Sequence, residues 1–461
     1  MIQTNTRALE AVLARISSHG GKPALFWQGK EFSYADFSLM IEAWIAKLGE
    51  DGIGLGCVVG YKGDFSPQTC ALIFALMKVG AILVPFTSEV SAEMSFFIEI
   101  AGVQFLYDFN EKDFHTLSKF PKNAPPDLVA MFSERKRPGL IVFTSGSTGK
   151  PKGILHDCEM VMRKFEKPRQ AWRTILFLLM DHFGGFNTFL ATFANGGVGI
   201  CPESRSVNAV AKAISDAKAS LLPATPTFLN LIIANQAYRT HDITSVQLIT
   251  YGTELMHATT LQKCLEIFPH AQFKQTYGLS EIGVLRSDSQ SKESVWVKIG
   301  GPGFEVKMVD GVLWVRSESN MVGYLNAPSP FDSEGWMCTG DQVEMKDGFV
   351  RFLGRKSELI NVGGKKVYPI EVENVLMEAV NINSASVFGK THPIMGQVVH
   401  AQISLVELEE PTAVTERLRA YCNERLAQYK VPTRFTIVNE ADHHNSRFKK
   451  VRREKDPTQT S

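Results

Sequence analysis

Apolar positions in the first third of the chain follow two different periods. Phe37, Met40, Ile41, Trp44, Ile45 and Leu48 recur every three or four residues, which predicts an amphipathic helix, whereas the run 57–61 reads as a short strand. Residues 71–77 are apolar throughout and read as a buried helix, and 81–85 read as the next strand. Strands separated by helices predict βαβ units and a mostly parallel sheet. The alternation resumes over 209–250 and ends in the strand-like stretch 247–250. From Val297 the texture changes. Short β-like pieces at 305–309 and 312–315 appear beside the turn pairs Asp310-Gly311 and Asp347-Gly348, which predicts hairpins. The least apolar junction is 354–358. Placing the boundary there predicts a large α/β domain over 1–355, with mostly parallel sheets and a β-rich subdomain, and a small α+β domain over 356–461.

Composition narrows the function classes. Of 461 residues, 49 are Lys or Arg and 48 Asp or Glu, a net charge of +1, so no global field would hold nucleic acid or an anionic membrane. Hydrophobic residues at 44% and charged ones at 21% are ordinary for a globular chain with a large core. The 7 cysteines are scattered with no CxxC, which favours a reduced, cytoplasmic setting. The start has no basic region leading into a long apolar run, and the stretch 175–180 is far short of the roughly 18 residues of a membrane span. A soluble protein without a signal peptide or membrane span is expected.

The chemistry enters at 140–153. An apolar strand runs into Thr144-Ser145-Gly146-Ser147-Thr148-Gly149-Lys150-Pro151-Lys152-Gly153. Glycines let backbone N–H groups converge on an anion, four hydroxyls add donors and two lysines add charge, which makes a triphosphate cradle. It is not a Walker loop, because Gly146 and Gly149 are too close and Pro151 stands where Ser or Thr is required.

This stretch closely resembles the phosphate-loop signature of the acyl-adenylate-forming superfamily, which includes AMP-forming acyl-CoA ligases, luciferases and peptide-synthetase adenylation domains. Four further motifs resemble that family in order: Tyr277-Gly278-Leu279-Ser280-Glu281, Thr339-Gly340-Asp341, Gly354-Arg355, and the segment 363–373 with its Pro369, Glu371 and Glu373. The resemblance implies ATP contacts from the phosphate loop, with Thr148 catalytic, and from Thr276, Tyr277, Gly278 and Ser280. Tyr251-Gly252-Thr253-Glu254 partly resembles the family's nucleotide strand end, which adds Gly252, Thr253 and Glu254. These motifs also make physical sense singly. Glu281 suits Mg²⁺, Tyr277 offers a flat face to adenine, Asp341 can accept from ribose hydroxyls, and Arg355 can reach ribose or phosphate with its planar fork. In the tail, Asn445-Ser446-Arg447-Phe448-Lys449-Lys450-Val451-Arg452 resembles the segment whose lysine enters the site during adenylation. Matching Asn445 and Arg452 gives that role to Lys449, with Lys450 as rival.

The acid pocket is expected near 178–187. Asp181 could hold a substrate ammonium, but it is read first as the cap of the following helix. His182 could border the carboxylate, and Phe183, Gly185 and Phe186 suggest an aromatic wall with room beside the glycines, with Gly278 opposite. A medium-sized or ring-containing acid would suit it. The resemblance further implies a hinge at Lys356 and Ser357 and an acceptor tunnel past Gly363 and Gly364, although two glycines also make an ordinary turn. The expected activity is ATP-dependent activation of a small carboxylic acid as its acyl-adenylate, with Mg²⁺ on Glu281. Acyl transfer would follow, first of all to CoA, with an amine or an acyl carrier protein's thiol as the alternatives.

Overall fold

The computed structural model describes residues 6–121, 124–145, 151–291, 294–301 and 303–439, and of Ser145 the backbone alone. The chain is mixed α/β. Among the described residues, two seven-stranded sheets build the larger part. In the first, Gly139–Ser145, Ile82–Phe86, Val58–Lys62 and Phe105–Phe109 run parallel, and Pro151–Asp157 folds back antiparallel on Gly139–Ser145. In the second, Gln272–Gln275, Leu248–Tyr251, Leu221–Ala224, Arg173–Ile175, Val198–Cys201 and Pro23–Trp27 are parallel, and Lys30–Ser33 closes the edge antiparallel.

Local sequence explains the helices that cover these sheets. Ser33 and Asp36 form a capping box at the start of Tyr34–Glu50, the helix expected from the apolar period. Ser66 and Thr69 do the same for Pro67–Lys78, whose Pro occupies the first turn, where its missing N–H costs nothing. That helix is apolar on every side because every side is covered, and residues 70–77 are all fully buried. Its Phe74 packs on Phe189 and Phe193 of the helix Phe183–Ala194, with ring centres 5.1 and 5.9 Å apart. Core-facing positions on this last helix are Phe186, Phe189, Leu190 and Phe193, so one helical face is committed to the interior.

The β-rich part is a six-stranded antiparallel sheet. Its two expected hairpins close on Asp310-Gly311 and Asp347-Gly348, all four residues having positive φ, as a two-residue hairpin turn demands. The sheet's strand Phe349–Arg355 leads through the short turn Lys356–Glu358 into a separate five-stranded sheet with the helices Pro369–Glu378 and Pro411–Arg425. This small C-terminal part has its own core around Val372, Leu376, Ile403 and Leu418. It meets the large part where His257 Nδ1 lies 2.7 Å from Asn374 Oδ1, with Glu373 Oε2 3.7 Å from His257 Nε2. Among the described residues, no helix is long and apolar enough to cross a membrane.

Candidate active site

The carboxyl ends of parallel strands leave a crevice that neighbouring crossovers do not fill, the usual place for a ligand in an α/β sheet. Here it is a cavity of about 880 Å³. Thr144 and Lys152 enter it from the antiparallel strands Gly139–Ser145 and Pro151–Asp157, and Gly252, Thr253 and Thr276 from strand ends of the second sheet. Tyr277, Gly278, Ser280 and Glu281 form a further wall, while Arg355, Lys356 and Ser357 border it from the joint. Phe183 lines it too. Thus most of the described residues singled out in the sequence converge on one space. Gly146, Ser147, Thr148, Gly149 and Lys150 lie outside the described residues, as do Lys449 and Lys450.

Hydrogen bonds fix the wall. Tyr277 stacks on Phe352 at 4.6 Å and donates its hydroxyl to Asp341 Oδ2 at 2.7 Å, while Arg355 Nε is 3.2 Å from Asp341 Oδ1. Burial pushes the Asp341 carboxyl upward against the opposing pull of Arg355 and Tyr277. Asp341 does not line the cavity; it holds two groups that do. Tyr324 donates to Glu281 Oε1 at 2.7 Å, and Lys152 Nζ sits 4.8 Å above the Tyr324 ring. Burial and the Glu281 carboxylate together raise the Tyr324 phenol above its ordinary value, so it stays a donor. Among the described residues, no group of three or more His, Cys, Asp or Glu could hold a metal. A lone cavity carboxylate still fits Mg²⁺, which takes one or two carboxylates and completes its shell with substrate phosphates and water.

His156 was not foreseen. It lies on Pro151–Asp157, fully buried, and its Nε2 donates to the Ser280 carbonyl at 2.7 Å, with its ring 4.5 Å from Phe183. Burial pulls its pKa down to about 4, against the opposing effect of the Ser280 bond, so it is neutral at ordinary pH. A lone histidine in an apolar strand carries no sequence signal for such a role.

Several expected pocket residues lie elsewhere. Asp181 is buried with one oxygen accepting from Thr87 Oγ1 at 2.9 Å, and it is not the helix cap. That position belongs to His182, whose side chain makes no capping bond and does not line the cavity. Gly185 provides no pocket space, because a Cβ there would stand 2.0 Å from the Leu179 carbonyl oxygen. The glycine lets the helix start pack on the preceding chain. Phe186 is fully buried on the core face, so the aromatic wall reduces to Phe183. Glu254 turns to the first turn of the helix Pro226–Asn235, accepting from Thr227 N and Oγ1 at 3.1 and 2.7 Å. Gly363 and Gly364, with φ of +57° and +83°, form the two-residue turn of the hairpin Ile360–Val362 and Lys365–Val367, away from the cavity lining.

What the helix Phe183–Ala194 does present to the cavity is Gly184, Asn187, Thr188, Ala191 and Thr192. The signal was available: these small and polar residues recur at helical spacing on the face opposite the phenylalanines. Lys164 Nζ donates to Asn187 Oδ1. Burial, then the charges of Arg169 and Arg286, hold its pKa down to about 7.

Comparison with known proteins agrees with this geometry. A family model for AMP-binding enzymes matches residues 13–325, and one for the AMP-binding enzyme C-terminal domain matches 371–447. The chain is 26% identical to an indoleacetate–CoA ligase of Aromatoleum aromaticum, over 91% of this chain and 92% of that protein. The fold is shared with an anthranilate CoA ligase solved with anthranoyl-AMP, at TM-score 0.81 and 19% identity over 96% of this chain and 95% of that one. It is also shared with an amide bond synthetase from Marinactinospora thermotolerans, at TM-score 0.73 and 22% identity over 94% and 95% of the two chains.

The depressed pKa of His156 has a measurable consequence. Unfolding restores its ordinary value near 6.5, so between pH 6.5 and pH 4 the unfolded chain binds a proton that the folded chain refuses. Stability contributed by the neutral ring is therefore lost as pH falls through that window, by about 2 kcal/mol between pH 7.5 and 5. His156→Gln keeps a donor for Ser280 but does not titrate. Urea unfolding at the two pH values should show a smaller acid-side loss in the variant by about that amount; equal losses would mean His156 titrates normally.

Proposed function

The chain belongs to the AMP-binding enzymes, and from that premise we propose that this AMP-forming acid ligase activates an organic carboxylic acid with ATP and passes the acyl group to the thiol of CoA. The observation that carries the reading is the single cavity joining Thr144, Lys152, Tyr277, Glu281 and Arg355 to an adjoining pocket beside Phe183. Thr144 and Lys152 flank the phosphate loop, Tyr277 gives a flat nucleotide wall, and Phe183 leads to the acid. CoA is favoured as acceptor by the indoleacetate–CoA ligase among its relatives. Seven cysteines, all unpaired, suit a reducing cytoplasm.

In the first half-reaction a carboxylate oxygen of the acid attacks the α-phosphorus of ATP. The bond to the bridging oxygen breaks, and its electron pair leaves with pyrophosphate, giving the acyl-adenylate. Negative charge shifts onto the bridging and non-bridging oxygens as this happens. Lys152, Arg355 and the phosphate-loop donors meet that charge where it develops, which is what lowers the barrier. Glu281 would hold Mg²⁺, which would neutralise phosphate charge when bound. Lys449 would approach from the tail as a further donor to the phosphate oxygens. In the second half-reaction the thiol of CoA attacks the acyl carbonyl, its proton passes to solvent and AMP leaves. The C-terminal part, taken as 356–461, would turn about Lys356 and Ser357 between the steps.

Acid-dependent exchange of labelled pyrophosphate into ATP tests the first step, and product masses after adding CoA, a primary amine or a phosphopantetheinylated carrier protein test the second. A thioester with CoA is expected; an amide or an acylated carrier alone would replace CoA as the acceptor. Glu281→Gln keeps an oxygen for Tyr324 but removes the charge. It should fold normally and lose about 10²-fold in exchange rate; an unchanged rate and magnesium dependence would take Glu281 out of the metal site. Lys449→Ala should lose exchange by a similar factor yet still make thioester from supplied acyl-adenylate. If Lys450→Ala behaves so instead, the tail is read one residue out of register.

A further inference from the structure

Asn187 sits one helical turn beyond Phe183, about 6 Å along the helix from the end that packs against His156 and Gly283. It lines the cavity, and its Oδ1 is occupied by Lys164 Nζ. In this contact Lys164 Nζ is the donor, so the amide oxygen faces it and the Nδ2 donor is turned away from the lysine. Among the described residues Nδ2 has no acceptor. Asn195, one residue past the same helix, differs: its oxygen accepts from Arg169 N at 2.7 Å and its nitrogen donates to the Ala191 carbonyl at 2.7 Å, so both ends of its amide are already engaged. The hydroxyl protons of Thr188 and Thr192 are likewise spent on the carbonyls of Gly184 and Thr188.

We infer that Asn187, oriented by Lys164, is a specificity-determining residue of the acid pocket, donating to an oxygen acceptor on the tail of the acid. This rests on the adenylation reading and sharpens it. The substrate class is a carboxylic acid with a carbonyl or second carboxylate oxygen about one helical turn from the reacting carboxylate, in preference to a plain alkyl or aryl acid. Two further observations point the same way. Thr174, which also lines the cavity, is 1% exposed and its hydroxyl has no partner among the described residues, so the wall holds unspent polar capacity. Among the described residues Lys164 has an amide and an aromatic ring, Phe165 at 5.1 Å, for company but no carboxylate partner, and its charged neighbours are Arg169 and Arg286. The local field therefore favours an electron-rich oxygen over an apolar group. A wholly apolar tail would strip water from the Asn187 N–H without replacing its bond, which costs affinity.

Pyrophosphate exchange on the full chain with benzoate, 4-acetylbenzoate and benzene-1,4-dicarboxylate tests this and separates the two oxygen sources. At least one oxygenated acid is expected to exceed the plain one about tenfold in kcat/KM, mainly through KM. Asn187→Leu should erase that preference. Asn187→Asp fits the same space and pairs with Lys164 but has no N–H, so it should also lose the preference while melting near the parent temperature. Lys164→Met should weaken the preference by freeing the amide to turn. Exchange with the plain acid as fast as with both others, or a preference that survives both Asn187 variants, overturns the inference and leaves adenylation standing. Exchange with no acid in this or a wider panel overturns the adenylation reading and this inference with it.

Discussion

The hydrogen bond from His156 to the Ser280 carbonyl joins two pieces of chain that the site cannot use separately. His156 lies on Pro151–Asp157, the strand that leaves the phosphate loop; Ser280 precedes the carboxylate of Glu281. The ring is fully buried, so breaking the bond would leave its N–H unpaired in the interior, at a cost of about 1–3 kcal/mol. The same junction is reinforced in sequence order. Met321 N donates to the Glu281 carbonyl and Val322 N to that of Leu155, each at 2.7 Å, and Tyr324 then reaches the Glu281 side chain. Glu281 is thereby clamped by its own backbone and its own carboxylate to the sheet that carries the phosphate loop. A charged ligand bound between these pieces can pull on them without changing their spacing, which electrostatic preorganisation requires.

A second chain of contacts leads from the Tyr277 wall of the cavity to the joint between the two parts of the molecule. Tyr277 and Arg355 hold opposite oxygens of Asp341, and Arg355 is the last residue before the turn Lys356–Glu358. Asp341 is buried while the Arg355 side chain is half exposed, so the pair gains less than a fully enclosed one and the arginine can leave it more cheaply. The carboxylate would still keep the Tyr277 hydroxyl. The Tyr277 wall therefore does not depend on where Arg355 points.

How far the sequence could be read follows from which interactions are local. Hairpin turns need positive φ at two adjacent residues, and Asp310-Gly311 and Asp347-Gly348 announce that chemistry by themselves. Strands and helices of the parallel sheets were legible for a similar reason: 57–61 became Val58–Lys62, 81–85 became Ile82–Phe86, and the apolar run 71–77 became Pro67–Lys78. Thr144, Lys152 and the Tyr277 segment were expected to share one site, and they do line one cavity. Roles that depend on a distant partner were not legible. Asp181 looked like a cap because Asp commonly caps, but its partner Thr87 is 94 residues away. Gly185 looked like pocket space, yet its neighbour is a carbonyl six residues back, at a distance only the folded turn creates.

The helix Phe183–Ala194 shows the same limit in one element. Its sequence, FGGFNTFLATFA, offers phenylalanines for an aromatic pocket or for a core, and composition cannot choose. Packing chooses: Phe37 and Phe74 from two other helices come to within 4.9 and 5.1 Å of Phe193 and Phe189, and aromatic rings gain more from dry, mutual contact than from a wall that water can reach. Once that face is taken, the helical period sends Gly184, Asn187, Thr188 and Ala191 to the cavity. The small residues leave volume and the polar ones leave hydrogen-bonding capacity. Thr188 and Thr192 discharge theirs into the helix itself, which keeps the wall from demanding many polar partners at once. On this face the Asn187 amide, held from behind by Lys164, keeps an N–H toward the cavity, so the core packing that hides the phenylalanines also sets which side chains line it.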